Sequence, residues 1–153
     1  MKKSQESKNN LGIAGEYRVL SELLLRGYNA AITMGNSKGT DILIFNSDRK
    51  FLRVEVKTCG NRKKFVTSYF PKYTTASHTD PDIWILYHPN IFNELNQDIY
   101  YILTHAEVRE LQLKQNKGKE TKAGEGVDNI ALRLLSAENI EPNNWEKIGK
   151  LFV

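Results

Sequence analysis

Two short apolar segments, separated by a polar turn, place charged side chains where the interior of a sheet is expected. Residues 39–45 read GTDILIF and residues 52–58 read LRVEVKT. An isolated charge in such an apolar setting costs considerable free energy unless a partner compensates it. The charged residues Asp41, Glu55 and Lys57 therefore predict a site that is completed by a divalent cation and an anionic ligand.

The spacing of these residues predicts that they share one face of a hairpin. Side chains alternate between the two faces of a strand, so odd-numbered residues lie together in both segments. If Phe45 pairs with Phe51 in an antiparallel hairpin, Asp41 lies opposite Glu55, and Lys57 follows two residues along the same face. Both faces also carry apolar residues, and we therefore expect the sheet to be covered on each side.

Two facing carboxylates raise each other's pKa unless a cation joins them. Mg²⁺ prefers oxygen ligands and retains several waters, and Mn²⁺ is able to substitute for it. We therefore predict a metal site formed by Asp41, Glu55 and the backbone carbonyl of Val56. Lys57 would then orient an attacking water, or stabilise the negative charge that develops on a phosphate.

A fourth carboxylate lies in the first predicted helix, at about residues 11–26. Glu16 shares a helical stripe with the apolar residues Val19, Leu20 and Leu23. A lone helical glutamate is usually a solvated boundary residue. Beside the charged hairpin, however, we predict that Glu16 points into the same cleft, as a catalytic residue and a further metal ligand.

Together, these residues resemble the PD-(D/E)XK nuclease superfamily, which includes restriction endonucleases and archaeal Holliday-junction resolvases. The resemblance runs from Gly15-Glu16 through Gly39-Thr40-Asp41 to Glu55-Val56-Lys57, and more loosely through residues 82–87. It implies an α/β fold of the restriction-endonuclease-like kind, with a mixed central β-sheet flanked by helices. Thr40 stands where the family has proline, at a position that varies widely.

The resemblance also implies an activity, namely Mg²⁺-dependent hydrolysis of phosphodiester bonds in duplex or branched DNA. It makes Asp41 and Glu55 the metal ligands, Lys57 the catalytic lysine and Glu16 an assisting carboxylate. By analogy with the superfamily, we expect a homodimer.

Basic and aromatic residues around the hairpin are predicted to contact DNA. Residues 49–64 hold seven basic residues and a single acid, which is the charge distribution expected beside a polyanion. The alternative is a solvated rim in which Tyr69 is an ordinary strand residue. The predicted DNA contacts are Lys38, Arg62, Lys63, Lys64, Tyr69, Lys72 and Tyr73.

The 153 residues predict one nuclease-like domain over 11–153, preceded by a flexible tail over 1–10. The single Cys59 and the absence of a long apolar run favour a cytoplasmic protein without a membrane segment. Further strands are predicted at about 28–34, 64–70, 83–87, 99–103 and 129–134, and helices at 104–115 and from Asn143 or Asn144 to Leu151. Gly27 is a predicted stop for the first helix, and Thr104 and Glu107 have the spacing of a capping box at the start of the second.

Two other interpretations remain open from the sequence. The same fold would also suit a non-catalytic nucleic-acid-binding accessory module, although such a module has no reason to keep Asp, Glu and Lys together. The hairpin charges would alternatively form a structural salt-bridge cluster. His78, His88 and His105 lack metal-ligand spacing, so we expect structural or surface roles for them. The chain has no glycine-rich phosphate loop, and we therefore do not expect it to hydrolyse nucleoside triphosphates.

Overall fold

The chain folds around a five-stranded mixed sheet in the computed structural model, which describes residues 4–34, 39–73 and 80–152. The strands are β1 (Asn29–Ile32), β2 (Ile42–Phe45), β3 (Phe51–Thr58), β4 (Lys64–Val66), β5 (Ile83–His88), β6 (Ile99–Thr104) and β7 (Asn129–Ala131). The α-helices are α1 (Gln5–Leu25), α2 (His105–Gln115), α3 (Leu132–Ala137) and α4 (Glu146–Leu151). The predicted mixed α/β fold with flanking helices is confirmed.

The central sheet has the order β1-β2-β3-β5-β6, and β4 and β7 form a separate two-stranded sheet. β3 lies in the middle, antiparallel to β2 and parallel to β5. The predicted hairpin register is confirmed, because Phe45 pairs with Phe51 and Leu43 with Arg53. The odd-numbered residues of the hairpin therefore occupy one face, as the alternation of side chains predicts.

Two apolar clusters cover the two faces of the sheet. On one face, Val19 and Leu23 of α1 pack on the even-numbered residues of β3, which include Val54. On the other face, Val108 of α2 packs with Trp84 of β5 and neighbouring residues. The expectation of a sheet covered on both sides is confirmed for the sheet as a whole, because α1 packs on one face of β3 and α2 packs on the other face over β5 and β6.

α1 begins earlier than the sequence pattern predicts. Ser4 is the N-cap, and its hydroxyl accepts a hydrogen bond from the Ser7 amide, so residues 5–10 are helical rather than a loose tail. The predicted stop at Gly27 is confirmed. Gly27 has a φ of 86°, and the Tyr28 amide donates to the Leu23 carbonyl, which is the Schellman arrangement at a helix C-terminus.

The C-terminal part differs more from the predictions. The predicted strand over 129–134 ends at Ala131, and the apolar residues that follow belong to α3. Asn143 does not cap α4, because its side-chain oxygen accepts a hydrogen bond from the Tyr100 amide and thereby ties this segment to β6. The predicted strand over 64–70 is also shorter, ending at Val66. By contrast, the Thr104–Glu107 capping box that starts α2 is present in full.

No helix in the described ranges is both long enough and apolar enough to cross a bilayer.

Candidate active site

Asp41 is held at the edge of β3 by two backbone contacts. Its amide donates to the Val54 carbonyl over 2.8 Å, and its Oδ2 accepts from the Val56 amide over 2.8 Å. Because the N–H and C=O of one strand residue point to the same edge, the Val56 carbonyl faces the Asp41 side as well. The ladder between β2 and β3 starts at the pair Ile42–Val54, so Val56 lies beyond its end.

Glu55 and Lys57 stand side by side on the odd-numbered face of β3. The Lys57 Nζ lies 2.8 Å from Glu55 Oε1. The Lys57 side chain is 24% exposed and the Glu55 side chain is 12% exposed. The second oxygen, Glu55 Oε2, is buried and has no hydrogen-bond partner among the residues that the structure describes. A buried carboxylate oxygen without a donor is costly, and it therefore marks a place where a cation would be stabilised.

Gly15 brings Glu16 to the other carboxylates. A Cβ at position 15 would lie 1.8 Å from the Thr58 Oγ1 and 3.0 Å from the Thr58 Cβ, so a side chain there would collide with β3. The glycine allows α1 to approach the end of β3 closely. Glu16, the next residue, then shares a hydrogen bond with the Asp41 carboxyl group.

The three carboxyl groups perturb one another. Burial, and then the charges of Asp41 and Glu55, raise the pKa of Glu16 to about 7. Burial also raises the pKa of Asp41, although the Val56 amide and Lys57 oppose the shift. The pKa of Glu55 is raised by burial as well, against the attraction of Lys57. Without a cation, this site therefore retains a proton near neutral pH.

The residues present fit a divalent cation with oxygen ligands. Asp41 and Glu55 supply carboxylates, Glu55 Oε2 lacks a partner within the described chain, and the Val56 carbonyl faces the same edge. In the described ranges, no three His, Cys, Asp or Glu side chains already form a closed metal cage. Mg²⁺ does not need one, because it binds through one or two carboxylates and keeps several waters.

The predicted DNA contacts lie in several places. Arg62 and Lys63 are exposed in the turn after β3, and Lys64 opens β4. Lys72 lies 3.6 Å from a carboxylate oxygen of Glu125, and Tyr73 ends the short 3₁₀ helix Pro71–Tyr73. Lys38 lies outside the described residues. The structure therefore brings Glu16, Asp41, Glu55 and Lys57 together but leaves the DNA contacts as predictions.

An aromatic cluster that the sequence did not reveal lies beside the site. Trp84 is the register partner of Glu55, and its Nε1 donates to the Nδ1 of His105 over 3.1 Å. The partly buried Tyr69 packs edge-on against both rings, and His105 Nε2 lies 3.8 Å from Asp80 Oδ2. Once β3 and β5 are known to pair, the alternation of side chains places Trp84 on the same face as Glu55. The position of His105, in contrast, depends on how α2 follows β6.

The fold and site define a mixed α/β protein with a carboxylate–lysine cluster where the central hairpin meets α1. No family model matches the chain, and no curated protein matches it. Among solved structures, it is similar to a bacterial homing endonuclease, I-Ssp6803I, with 16% sequence identity and a TM-score of 0.43. The match covers 64% of this chain and 69% of that one.

Proposed function

We propose that this protein is a metal-dependent nuclease of the PD-(D/E)XK superfamily that hydrolyses DNA phosphodiester bonds. One observation carries the proposal: Glu16 of α1, Asp41 just before β2, and Glu55 and Lys57 of β3 lie close enough to interact electrostatically, and the buried Glu55 Oε2 has no partner in the described ranges. Such a cluster of buried carboxyl groups raises the free energy of the folded protein unless a bound ligand compensates their charge.

Asp41, Glu55 and the Val56 carbonyl would hold the metal, with Glu16 beside them. Mg²⁺ is the expected ion, with Mn²⁺ as a substitute, because every available ligand is an oxygen. When bound, such an ion lowers the pKa of water and offsets the charge that develops on the phosphate.

Lys57 and Glu16 would assist at either side of this site. The Lys57 ammonium forms an ion pair with the Glu55 carboxylate. From this position beside the proposed metal ligands, it would orient a water molecule or stabilise a phosphate oxygen. With a pKa of about 7 in the metal-free protein, Glu16 is partly protonated at neutral pH and would lose its proton when a cation binds. The basic turn at Arg62 and Lys63 would attract the DNA backbone.

The test is cleavage of a panel of duplex, branched and single-stranded DNA with Mg²⁺ or Mn²⁺, and with EDTA as the metal-free control. We expect cleavage that EDTA stops and that Asp41→Ala and Lys57→Ala each lower by at least about a hundredfold. Lys150→Ala, at an exposed lysine of α4, is the matched control and should retain activity. Full activity in either site variant would refute the assigned roles.

The same panel separates the alternative function. Salt-dependent DNA binding, without metal-dependent cleavage of any substrate, would identify a non-catalytic nucleic-acid-binding module. Absence of Mg²⁺ and Mn²⁺ binding in calorimetry would instead identify the charges as a structural cluster.

We further propose a homodimer that acts in the cytoplasm. A single small domain easily reaches the scissile phosphate of only one strand, and a symmetric pair would present two sites. Sedimentation of a monomer at working concentration would contradict the dimer.

A further inference from the structure

The odd-numbered side chains of the β2–β3 hairpin form a row that leads from the candidate site to the turn. Lys57, Glu55, Arg53 and Phe51 follow one another at every second position of β3. On β2, Leu43 faces Arg53 and Phe45 faces Phe51. Neighbouring side chains in such a row are about 7 Å apart. The row is therefore continuous with the carboxylate–lysine cluster.

The turn end of this face is open to solvent. Phe45 is 40% exposed and Phe51 is 48% exposed, whereas Trp84, on the same face of β5, is only 4% exposed. The difference arises because α2 and its neighbours cover β5 and β6 and leave the turn end of the hairpin uncovered. Single exposed apolar residues are common. Phe45 and Phe51, however, are directly paired across the hairpin, so their exposure is not that of single scattered apolar residues.

Basic side chains lie close to Phe51. The guanidinium carbon of Arg53 lies 5.5 Å from the centroid of the Phe51 ring, which is within the range of a cation–π contact. At the turn, a shallow cavity of about 370 Å³ opens toward the opposite side of the hairpin, where Leu52 and Phe152 belong to the apolar cluster beneath α1. Its lining residues are Arg49, Lys50, Phe51, Leu52, Leu151 and Phe152. Exposed aromatic rings flanked by cations are the surface on which single-stranded nucleic acids bind.

We propose that this hairpin face binds an unpaired segment of DNA next to the scissile phosphate. Bases stack on Phe45, Phe51 and the Arg53 guanidinium, while Arg49 and Lys50 contact phosphates near the turn. The inference deepens the proposed nuclease function and rests on it, because the row ends at Glu55 and Lys57.

The chemistry of the face favours a single strand over a duplex. In a duplex the faces of the bases are stacked on one another, so the outer surface offers phosphates, sugars and groove edges. Exposed phenylalanine rings have nothing to stack on there. An unpaired strand offers a π-face at every base, and binding would cover both rings. The preferred substrates are accordingly overhangs, flaps or branches whose unpaired part adjoins the cleaved bond.

The experiment measures binding by fluorescence anisotropy in EDTA, where no cleavage occurs. The labelled probes are a short single-stranded DNA, the duplex of the same sequence, and an abasic strand with the same phosphates. We expect the single strand to bind more tightly than the abasic strand. Phe45→Ala/Phe51→Ala should weaken binding of the single strand at least about fivefold and change duplex and abasic binding less than about twofold.

Two further variants make the result specific. Phe45→Leu/Phe51→Leu keeps apolar side chains on the strands but removes the π-faces, and it should reproduce the loss of single-strand binding. Leu25→Ala, at an exposed apolar residue of α1, is the matched control and should bind all probes like the original chain. Equal binding of the single and abasic strands, or unchanged binding in both phenylalanine variants, would overturn the proposal.

The outcomes also distinguish this inference from the nuclease proposal. Single-strand binding that depends on the two rings, without metal-dependent cleavage, would retain the DNA-binding face and reject the enzyme. Cleavage that the phenylalanine variants leave unchanged on every substrate would retain the enzyme and reject the stacking face. A shift from dimer to monomer in the phenylalanine variants, with unchanged DNA binding, would show that a second copy occupies this face, and it would also overturn the proposal.

Discussion

The Lys57 ammonium lies 2.8 Å from Glu55 Oε1, and this contact governs the behaviour of both side chains. Both side chains are largely buried, so each charge depends on its neighbour for compensation. Lys57 nevertheless compensates only one carboxylate oxygen, because Glu55 Oε2 has no partner among the described residues. At the scale of single residues, the site is thus incompletely neutralised, as expected for side chains that serve a ligand.

Removing Lys57 should destabilise the metal-free protein. Lys57→Met leaves Glu55 buried without its cation, and we expect the free energy of unfolding at neutral pH to fall by about 1–3 kcal/mol in urea titrations. Lys57→Met/Glu55→Gln should recover much of this loss, because the uncompensated charge is gone. An equal loss in Lys150→Met, or no loss in Lys57→Met, would contradict the importance of this pair.

Glu16 should make the stability of the metal-free protein depend on pH. Its folded-state pKa of about 7 lies above its ordinary value of 4.5, so the protonated form is favoured by folding. Its contribution is fully present below about pH 4.5 and is lost as pH rises through about 7. Urea unfolding at about pH 5 and about pH 8 should show a smaller decrease for Glu16→Gln than for the original chain.

The exposed Glu146 of α4 provides the matched control for this pH dependence. Glu146→Gln should leave the pH profile unchanged. Identical profiles for Glu16→Gln and the original chain would show that Glu16 is not in the perturbed environment that the structure gives it.

At the scale of elements, the contact between α1 and β3 determines whether the site forms. The contact is close because Gly15 has no side chain to meet Thr58. Two glycines of α1 differ in this respect: a Cβ at Gly12 would meet nothing within 4 Å. Alanine at position 12 therefore tests helix propensity alone, whereas alanine at position 15 tests the packing of α1 against β3.

Gly12→Ala should stabilise the protein by about 0.5–1 kcal/mol, because alanine is the better helix former. Gly15→Ala should instead destabilise it by about 1–3 kcal/mol, because the new methyl group forces α1 away from Thr58. It should also lower nuclease activity by displacing Glu16. Chemical denaturation measures both effects, and Gly15→Ala/Thr58→Ala should recover part of the loss. Stabilisation by both glycine variants would rule out the close approach.

Prediction from sequence was uneven among the elements, for physical reasons. The hairpin register and the Thr104–Glu107 capping box depend on side-chain alternation and local hydrogen bonds, and both were predictable. The apolar run after Asn129 suits a strand and a helix equally, and β7 gives way to α3 at Leu132. A short apolar run fits the strand period of two residues and the helix period of about 3.6 equally well, so only its packing partners decide between them.

At the scale of the whole molecule, a cation should stabilise the native state by binding the carboxylate cluster. Mg²⁺ or Mn²⁺ should raise the Tm in proportion to the logarithm of its concentration above the Kd, because the unfolded chain lacks the site. Asp41→Asn/Glu55→Gln should abolish this rise, whereas Glu146→Gln should retain it. The rise should be larger above about pH 7, because Glu16 then no longer holds its proton. A rise that persists in Asp41→Asn/Glu55→Gln would place the metal elsewhere.

The sequence by itself determined the hairpin, its register from Phe45–Phe51 to Ile42–Val54, and the common face of Glu55 and Lys57. These features follow from alternation over a few residues, which a linear pattern records. Only the tertiary structure decided that Glu16 reaches Asp41, that Glu55 Oε2 is left without a donor among the described residues, and that Phe45 and Phe51 remain uncovered. Each of these depends on where a distant helix packs, and packing brings together residues that no local pattern relates.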